Sequence, residues 1–178
     1  MIWYFKPYSV TKNLGEAYNE YCKLVPENDW ICLLDGDAMF LRSDFGHGIQ
    51  EYITRKPDVK LWIPVVNRVG KVIQCYQRQR SKESNLKIHK KIADDLYSGG
   101  PKSELWKHPK PPSMPCFVFS KKTWNEVGGF DETGQILGVD IRFSEKVLKL
   151  GQCQIMKSIY LLHYYRLNEG YRSKKHLQ

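Results

Sequence analysis

Read as apolar and polar positions, the chain alternates short unbroken apolar runs with stretches of three-four spacing. Ile31, Cys32, Leu33 and Leu34 form a run too brief for a helix, the pattern of a strand buried on both faces. Ile2 to Phe5 predicts an earlier strand, closed by Lys6-Pro7. Between them Leu14, Ala17, Tyr18, Tyr21, Cys22 and Val25 predict an amphipathic helix. Asn13 and Glu16 resemble a capping box at its start, and Pro26 stops it. Strand, helix and strand make one right-handed βαβ unit.

Further on, Ser43-Asp44 caps a helix carrying Phe45, Ile49, Tyr52 and Ile53. Val59 to Val66 reads as a strand, Asn67 to Gly70 as a turn, and Val72 to Tyr76 as its hairpin partner. Leu86, His89, Ile92, Ala93 and Leu96 fit a helix, with His89 at the surface among Lys87, Lys90 and Lys91. Ser98 to Pro115 holds two glycines and five prolines and reads as a loop with little structure of its own, and the longer segment from Gln79 to Pro115 is expected to be mobile without ligand and to form part of the acceptor side. Cys116 to Phe119 predicts a buried strand, and Ser120 caps a short helix that ends on Gly128-Gly129. A helix from about Val139 to Leu150 stops at Gly151. Strands near Cys153–Met156 and Ile159–Leu162 lead to His163 and a basic tail. The whole, residues 1–178, reads as a single α/β domain with a central, mostly parallel sheet and helices on both faces.

The run at 31–34 ends in Asp35-Gly36-Asp37. Open α/β sheets bind ligands beyond the carboxyl ends of their strands. Two close carboxylates there are hard oxygen ligands for Mg²⁺ or Mn²⁺, and a glycine lets a bulky group approach the backbone. A turn with two solvated acids explains the same residues, since Asp and Gly favour turns. The net charge of +9 favours an anionic partner and leaves room for peripheral contact with a membrane or other anionic surface. Five cysteines without a CxxC pair read as buried thiols of a reducing, cytoplasmic compartment. No apolar run is long enough for a membrane span, and MIWYFKPYS lacks the marks of a signal peptide.

An apolar strand, a short helix, Gly128-Gly129-Phe130-Asp131-Glu132, an acid some nine residues on and a helix ending in glycine together resemble the GT-A glycosyltransferases. The likeness is closest to the bacterial family 2 type, which uses nucleotide-diphosphate sugars. It implies a Rossmann-like GT-A fold with a reduced nucleotide-binding half, since only about thirty residues precede Asp35. Asp35 and Asp37 match the family's DxD, which holds Mn²⁺ or Mg²⁺ on the donor diphosphate. His163, followed by Arg166, looks like its late metal-ligand element. Asp140 matches the second acid of the catalytic pair, with Val139 replacing the first, and so implies an inverting base. Phe5, Lys6, Pro7, Tyr8 and Ser9 stand where base recognition is expected, with Asp35, Gly36 and Arg166 on the diphosphate; Lys174 or Lys175 could add charge there. The implied partners are a UDP- or GDP-sugar donor and a glycan or other hydroxyl acceptor, without nucleic acid. Arg142 stands where relatives often carry another acid.

Two rival readings use the same residues. A haloacid-dehalogenase-like phosphatase would use Asp35 and Asp37 with Asp94-Asp95, but leaves GGFDE and His163 unexplained. A basic nucleic-acid-binding module would use the lysines and exposed aromatics, but no predicted helix is basic along one face with aromatics interleaved.

Overall fold

The structure, a computed structural model, describes residues 1–134 and 136–164. In chain order the regular elements are β1 (Ile2–Phe5), α1 (Leu14–Lys23), β2 (Trp30–Leu34), β3 (Ala38–Phe40), α2 (Phe45–Arg55), β4 (Leu61–Val66), α3 (Leu86–Ser98), β5 (Ser103–Leu105), β6 (Cys116–Ser120), α4 (Lys121–Glu126), α5 (Val139–Leu150) and β7 (Cys153–His163). The sheet runs β1-β2-β6-β4-β7-β3, and β5 adds to β7. The fold is α/β, but the expected mostly parallel sheet is mixed. Among the described residues only the strand pairs β1–β2 and β4–β7 are parallel, while β6, β3 and β5 join their neighbours antiparallel. Apolar runs mark strands buried on both faces and carry no strand direction, which is why the sequence misled here.

Alternation along the strands sorts the core into two layers. Ile31 and Leu33 of β2, Leu61, Ile63 and Val65 of β4 and Phe117 and Phe119 of β6 pack with Tyr18 and Cys22 of α1 and Phe143 and Val147 of α5. Cys32 and Leu34, Trp62 and Val66, and Cys116 and Val118 point the other way, onto Ile49, Tyr52 and Ile53 of α2. Helices therefore cover both faces. All five cysteines are buried and free, as expected. Among the described residues no helix is long and apolar enough to cross a membrane.

Two caps follow the sequence signals, while Asp44 stands at the N-cap of α2 without a side-chain cap bond and its carboxylate accepts from Arg42 instead. Asn13 accepts from the Glu16 amide at 3.4 Å, and Ser120 from that of Thr123 at 3.0 Å. Gly128 and Gly129 both have positive φ after α4, the conformation that favours glycine. The two strands expected at 153–156 and 159–162 are one strand with a bulge between them. Pro64 pairs with Met156 but Val65 with Tyr160. The shift falls at Pro64, which has no N–H for the ladder, and the Tyr52 hydroxyl fills the gap by accepting from the Ser158 amide at 3.0 Å.

Three local expectations fail. Val72 to Tyr76 is no hairpin strand: Val72–Gln74 and Tyr76–Arg78 are short 3-10 turns, and only Cys75 bridges to Val66. His89 is fully buried, not a surface residue, with its ring between the Tyr160 hydroxyl at 2.7 Å and the Glu83 carbonyl at 2.9 Å. The 98–115 loop is tied down as well. It contains β5, its Trp106 amide donates to the Cys153 carbonyl at 2.9 Å, and Trp106 and Met114 are buried.

Candidate functional site

The site grows from the end of β2. Leu34 closes the strand, and the Asp35 amide is held by the Pro115 carbonyl at 2.9 Å. The Asp35 carbonyl accepts from the Ala38 amide at 3.1 Å, so Asp35-Gly36-Asp37 is a tight turn that presents both carboxylates at the sheet's edge. The turn and the ligand readings describe one geometry. Gly36 has no positive φ, and a Cβ there would meet nothing within 4 Å, so its openness faces outward.

β3 then pairs antiparallel with the end of β7, setting Ala38 opposite His163, and the Tyr164 amide donates to the Asp37 carbonyl at 2.9 Å. This brings His163 to the turn. Its Nε2 lies 3.3 Å from Asp37 Oδ1 and 3.9 Å from Asp35 Oδ2. One ligand atom each from Asp35, Asp37 and His163 lie within 4.8 Å of one another. Neighbouring ligands of an octahedral Mg²⁺ at about 2.1 Å stand about 3 Å apart, so the three need only a small contraction to share such an ion.

The donor set also fits. His163 Nδ1 faces the Arg68 carbonyl at 3.0 Å, which can only accept, so Nδ1 carries the proton. In the neutral ring Nε2 then turns a lone pair toward two carboxylates, an arrangement that a shared cation relieves. A backbone carbonyl orienting a ligating histidine is a common second contact of metal sites. Asn67, wholly buried, completes the mount by bonding both backbone groups of His163. Asn67 and Arg68 read from sequence as a turn and nothing more. Their signal was two polar residues directly following the buried β4 at the end of the sheet that bears Asp35.

Burial pushes the Asp35 carboxyl up to about 7; the Asp140 and Asp37 charges add to this, while His163 opposes it. The Tyr18 hydroxyl, buried beneath, donates to Asp35 Oδ1 at 3.4 Å. Asp140 is the second residue of α5, and its Oδ2 accepts from the Met114 amide at 3.3 Å. Burial holds its pKa above the ordinary carboxylate value, against the lowering influence of backbone donors at the helix start. Val139 beside it is core.

Phe5 and Lys6 reach the same end of the sheet. Lys6 Nζ donates to the Ala38 carbonyl at 2.6 Å, and both residues line an open groove of about 250 Å³ with Tyr4, Leu34, Met39, Phe40 and Phe45. Pro7, Tyr8 and Ser9 follow β1 without regular structure and do not line that groove; Tyr8 is exposed and Ser9 pairs with Thr11. Arg166, Lys174 and Lys175 lie outside the described residues.

The GGFDE acids have other duties. Asp131 is paired with Lys146 and Arg142, and Glu132 accepts from Asn19 at 2.8 Å. Asn19 also binds the Phe130 backbone and the Trp124 indole, which locks this segment onto α1. Asp94 is held by Arg42 and Lys90 on the outer side of α3, and Asp95 is exposed. No protein-family model matches this chain, and no curated protein does.

Proposed function

We propose that the protein is a metal-dependent glycosyltransferase that moves a sugar from a UDP- or GDP-sugar to the hydroxyl of a glycan or other acceptor. What supports the reading most is the convergence of Asp35, Asp37 and His163 within 4.8 Å at a strand end, with the imidazole turned ligand-side inward by Arg68. Asp35 and Asp37 would hold Mn²⁺ or Mg²⁺ through hard oxygens, and His163 through Nε2. A bound cation would supply charge neutralisation of the diphosphate leaving group.

The remaining roles belong to the chain itself. Phe5 and Lys6 would flank the base in the groove beyond β1, with Pro7, Tyr8 and Ser9 extending the contact, and Gly36 and Arg166 would lie along the diphosphate. Asp140 would accept the proton of the acceptor hydroxyl as its oxygen attacks the anomeric carbon, which inverts that centre. Its upward-shifted pKa is the direction a base working near neutrality needs.

A thermal-shift panel of nucleotide-diphosphate sugars with and without Mn²⁺ tests the reading, because a ligand of the native state raises the melting temperature. A rise that requires both cation and sugar nucleotide is expected. If no sugar nucleotide shifts the melting in Mn²⁺, the reading falls.

A further inference from the structure

β1 is an edge of the sheet: β2 lies on one side of it and, among the described residues, no strand lies on the other. The Trp30 amide donates to the Met1 carbonyl at 2.8 Å. Alternate residues of a strand face the same neighbour, so Met1, Trp3 and Phe5 turn their backbone groups toward β2. Ile2 and Tyr4 each turn an N–H and a C=O away from the sheet. Edge strands are ordinarily blunted by a charge, a proline or a bulge. Ile2-Trp3-Tyr4-Phe5 has none of these and pairs with β2 in unbroken register; Lys6-Pro7 come only after it.

The flank beside this edge is apolar as well. Tyr21 of α1 packs on Phe5 with ring centroids 5.1 Å apart. A helix that crosses between parallel strands runs back along them, so Leu24, three residues beyond Tyr21, reaches the level of Trp3, two residues before Phe5. Asp29, just past the end of α1, accepts from the Trp3 indole at 2.8 Å at that same level. Leu24 is 69% exposed, and Tyr4, on the other face of the edge, is 38% exposed. The chain's positive charge lies elsewhere. Residues 1–30 hold three lysines against four acids, a net of −1, which leaves +10 on the rest of a chain whose total is +9. Two copies repel over most of their surface and least along this edge.

We propose that β1 pairs with β1 of a second copy of this chain, antiparallel about a two-fold axis at Trp3, giving a dimer with one continuous sheet. In that register Ile2 of each copy stands opposite Tyr4 of the other, and each such pair exchanges both of its backbone hydrogen bonds. The two Trp3 residues face each other at a non-hydrogen-bonded position, where side chains come closest and aromatic pairs stabilise a sheet. Leu24 meets Leu24 on the same side of the axis. A second copy fits this edge better than an extended peptide does. A peptide would satisfy Ile2 and Tyr4 but leave Leu24 in water, whereas a two-fold axis brings helix to helix wherever it brings strand to strand. Tyr4 and Phe5 also line the open groove, so the added strand would wall its outer side. The proposal does not depend on the sugar-nucleotide reading, since pairing needs neither metal nor donor.

Sedimentation equilibrium of the metal-free chain over a wide range of concentration tests it, and a monomer–dimer equilibrium is expected. Tyr4→Pro removes an outward N–H without touching the β1–β2 ladder and should abolish the dimer. Tyr4→Ala loses the same ring contact with Phe45 but keeps that N–H, and should still dimerise. Leu24→Glu, at an exposed site, should leave the fold intact and weaken dimerisation about tenfold or more, because it sets like charges across the axis. Trp3→Cys reads the register. All five native cysteines are buried, and facing residues at a non-hydrogen-bonded position are close enough for a disulfide. With oxidised glutathione this variant should give a covalent dimer, while Tyr4→Cys, offset from its own counterpart, should not. A wild-type chain that stays monomeric overturns the proposal. So does a Tyr4→Pro or Leu24→Glu protein that dimerises as tightly as wild type, or cross-linking of the Tyr4→Cys protein and not of the Trp3→Cys one.

Discussion

Asn67 grips both backbone groups of His163 across a separation of 96 residues: its Oδ1 accepts from the His163 amide at 2.7 Å and its Nδ2 donates to the His163 carbonyl at 3.1 Å. Both partners are buried, so removing the amide takes away two buried hydrogen bonds. Asn67→Ala should cost about 2 to 4 kcal/mol of stability and loosen the imidazole. Denaturant unfolding and Mn²⁺ titration of the variant check both effects. Unchanged stability would mean that water replaces the clamp without cost.

Asp37→Ala removes an exposed carboxylate from the proposed metal set and should leave the fold intact. Stabilisation by UDP or GDP in Mn²⁺ should disappear in this variant. If the diphosphate still raises the melting temperature as much as in wild type, Asp37 is a turn residue and no ligand.

Asp140→Asn keeps the size of the side chain and its acceptor for the Met114 amide but removes basicity. Sugar-nucleotide binding should stay close to wild type, and transfer should fall about a hundredfold or more, the usual scale of general-base catalysis. Transfer at the wild-type rate would leave Asp140 a helix-start acid. Loss of donor binding would instead assign it to the donor side.

The acidity of Asp35 makes stability depend on pH. Its carboxyl is pushed up to about 7 by burial, and burial also raises Asp140. The folded form then keeps protons that the unfolded chain releases just above the ordinary value of 3.8, so it is favoured at the acid side of that window. The metal-free protein should therefore lose stability between about pH 4 and pH 7 as Asp35 ionises, with Asp140 acting in the same direction. Asp29, Asp44 and Asp94 are shifted downward by their partners and act in the opposite sense, but only at the acid end, around and below the ordinary carboxylate value. Melting curves in a chelator give the profile, and Asp35→Asn should flatten it. A melting temperature that climbs across this window in wild type would contradict the assignment.

Two glycines should answer alanine in opposite ways. A Cβ on Gly15 would sit 2.1 Å from the Asp131 carbonyl oxygen, where α1 lies against the GGFDE segment, whereas one on Gly36 would meet nothing within 4 Å. Gly15→Ala should cost about 1 to 3 kcal/mol, the range for overpacking. Gly36→Ala should melt like wild type yet weaken diphosphate binding if the ligand crosses the turn. A Gly15→Ala protein as stable as wild type would show that the contact gives way freely.

What the sequence determined by itself is whatever depends on near neighbours. The apolar runs at 31–34 and 116–119 are strands, Asn13 and Ser120 cap their helices, and Asp35 and Asp37 share a tight turn because one residue separates them. Asp140 starts α5 for the same local reason. What only the tertiary structure decided depends on partners far along the chain. The sheet is mixed because β6 enters between β2 and β4 against both, and nothing in an apolar run encodes direction. His89 is buried among surface lysines because Tyr160 and the Glu83 carbonyl satisfy its ring, a pairing that helical spacing cannot reveal. His163 meets Asp37 because β3 pairs with the end of β7, and its ring is aimed because a buried asparagine and a carbonyl following β4 hold it. Hydrogen bonds and strand pairings of this kind join residues by their position in space, and one chain read in order does not contain that position.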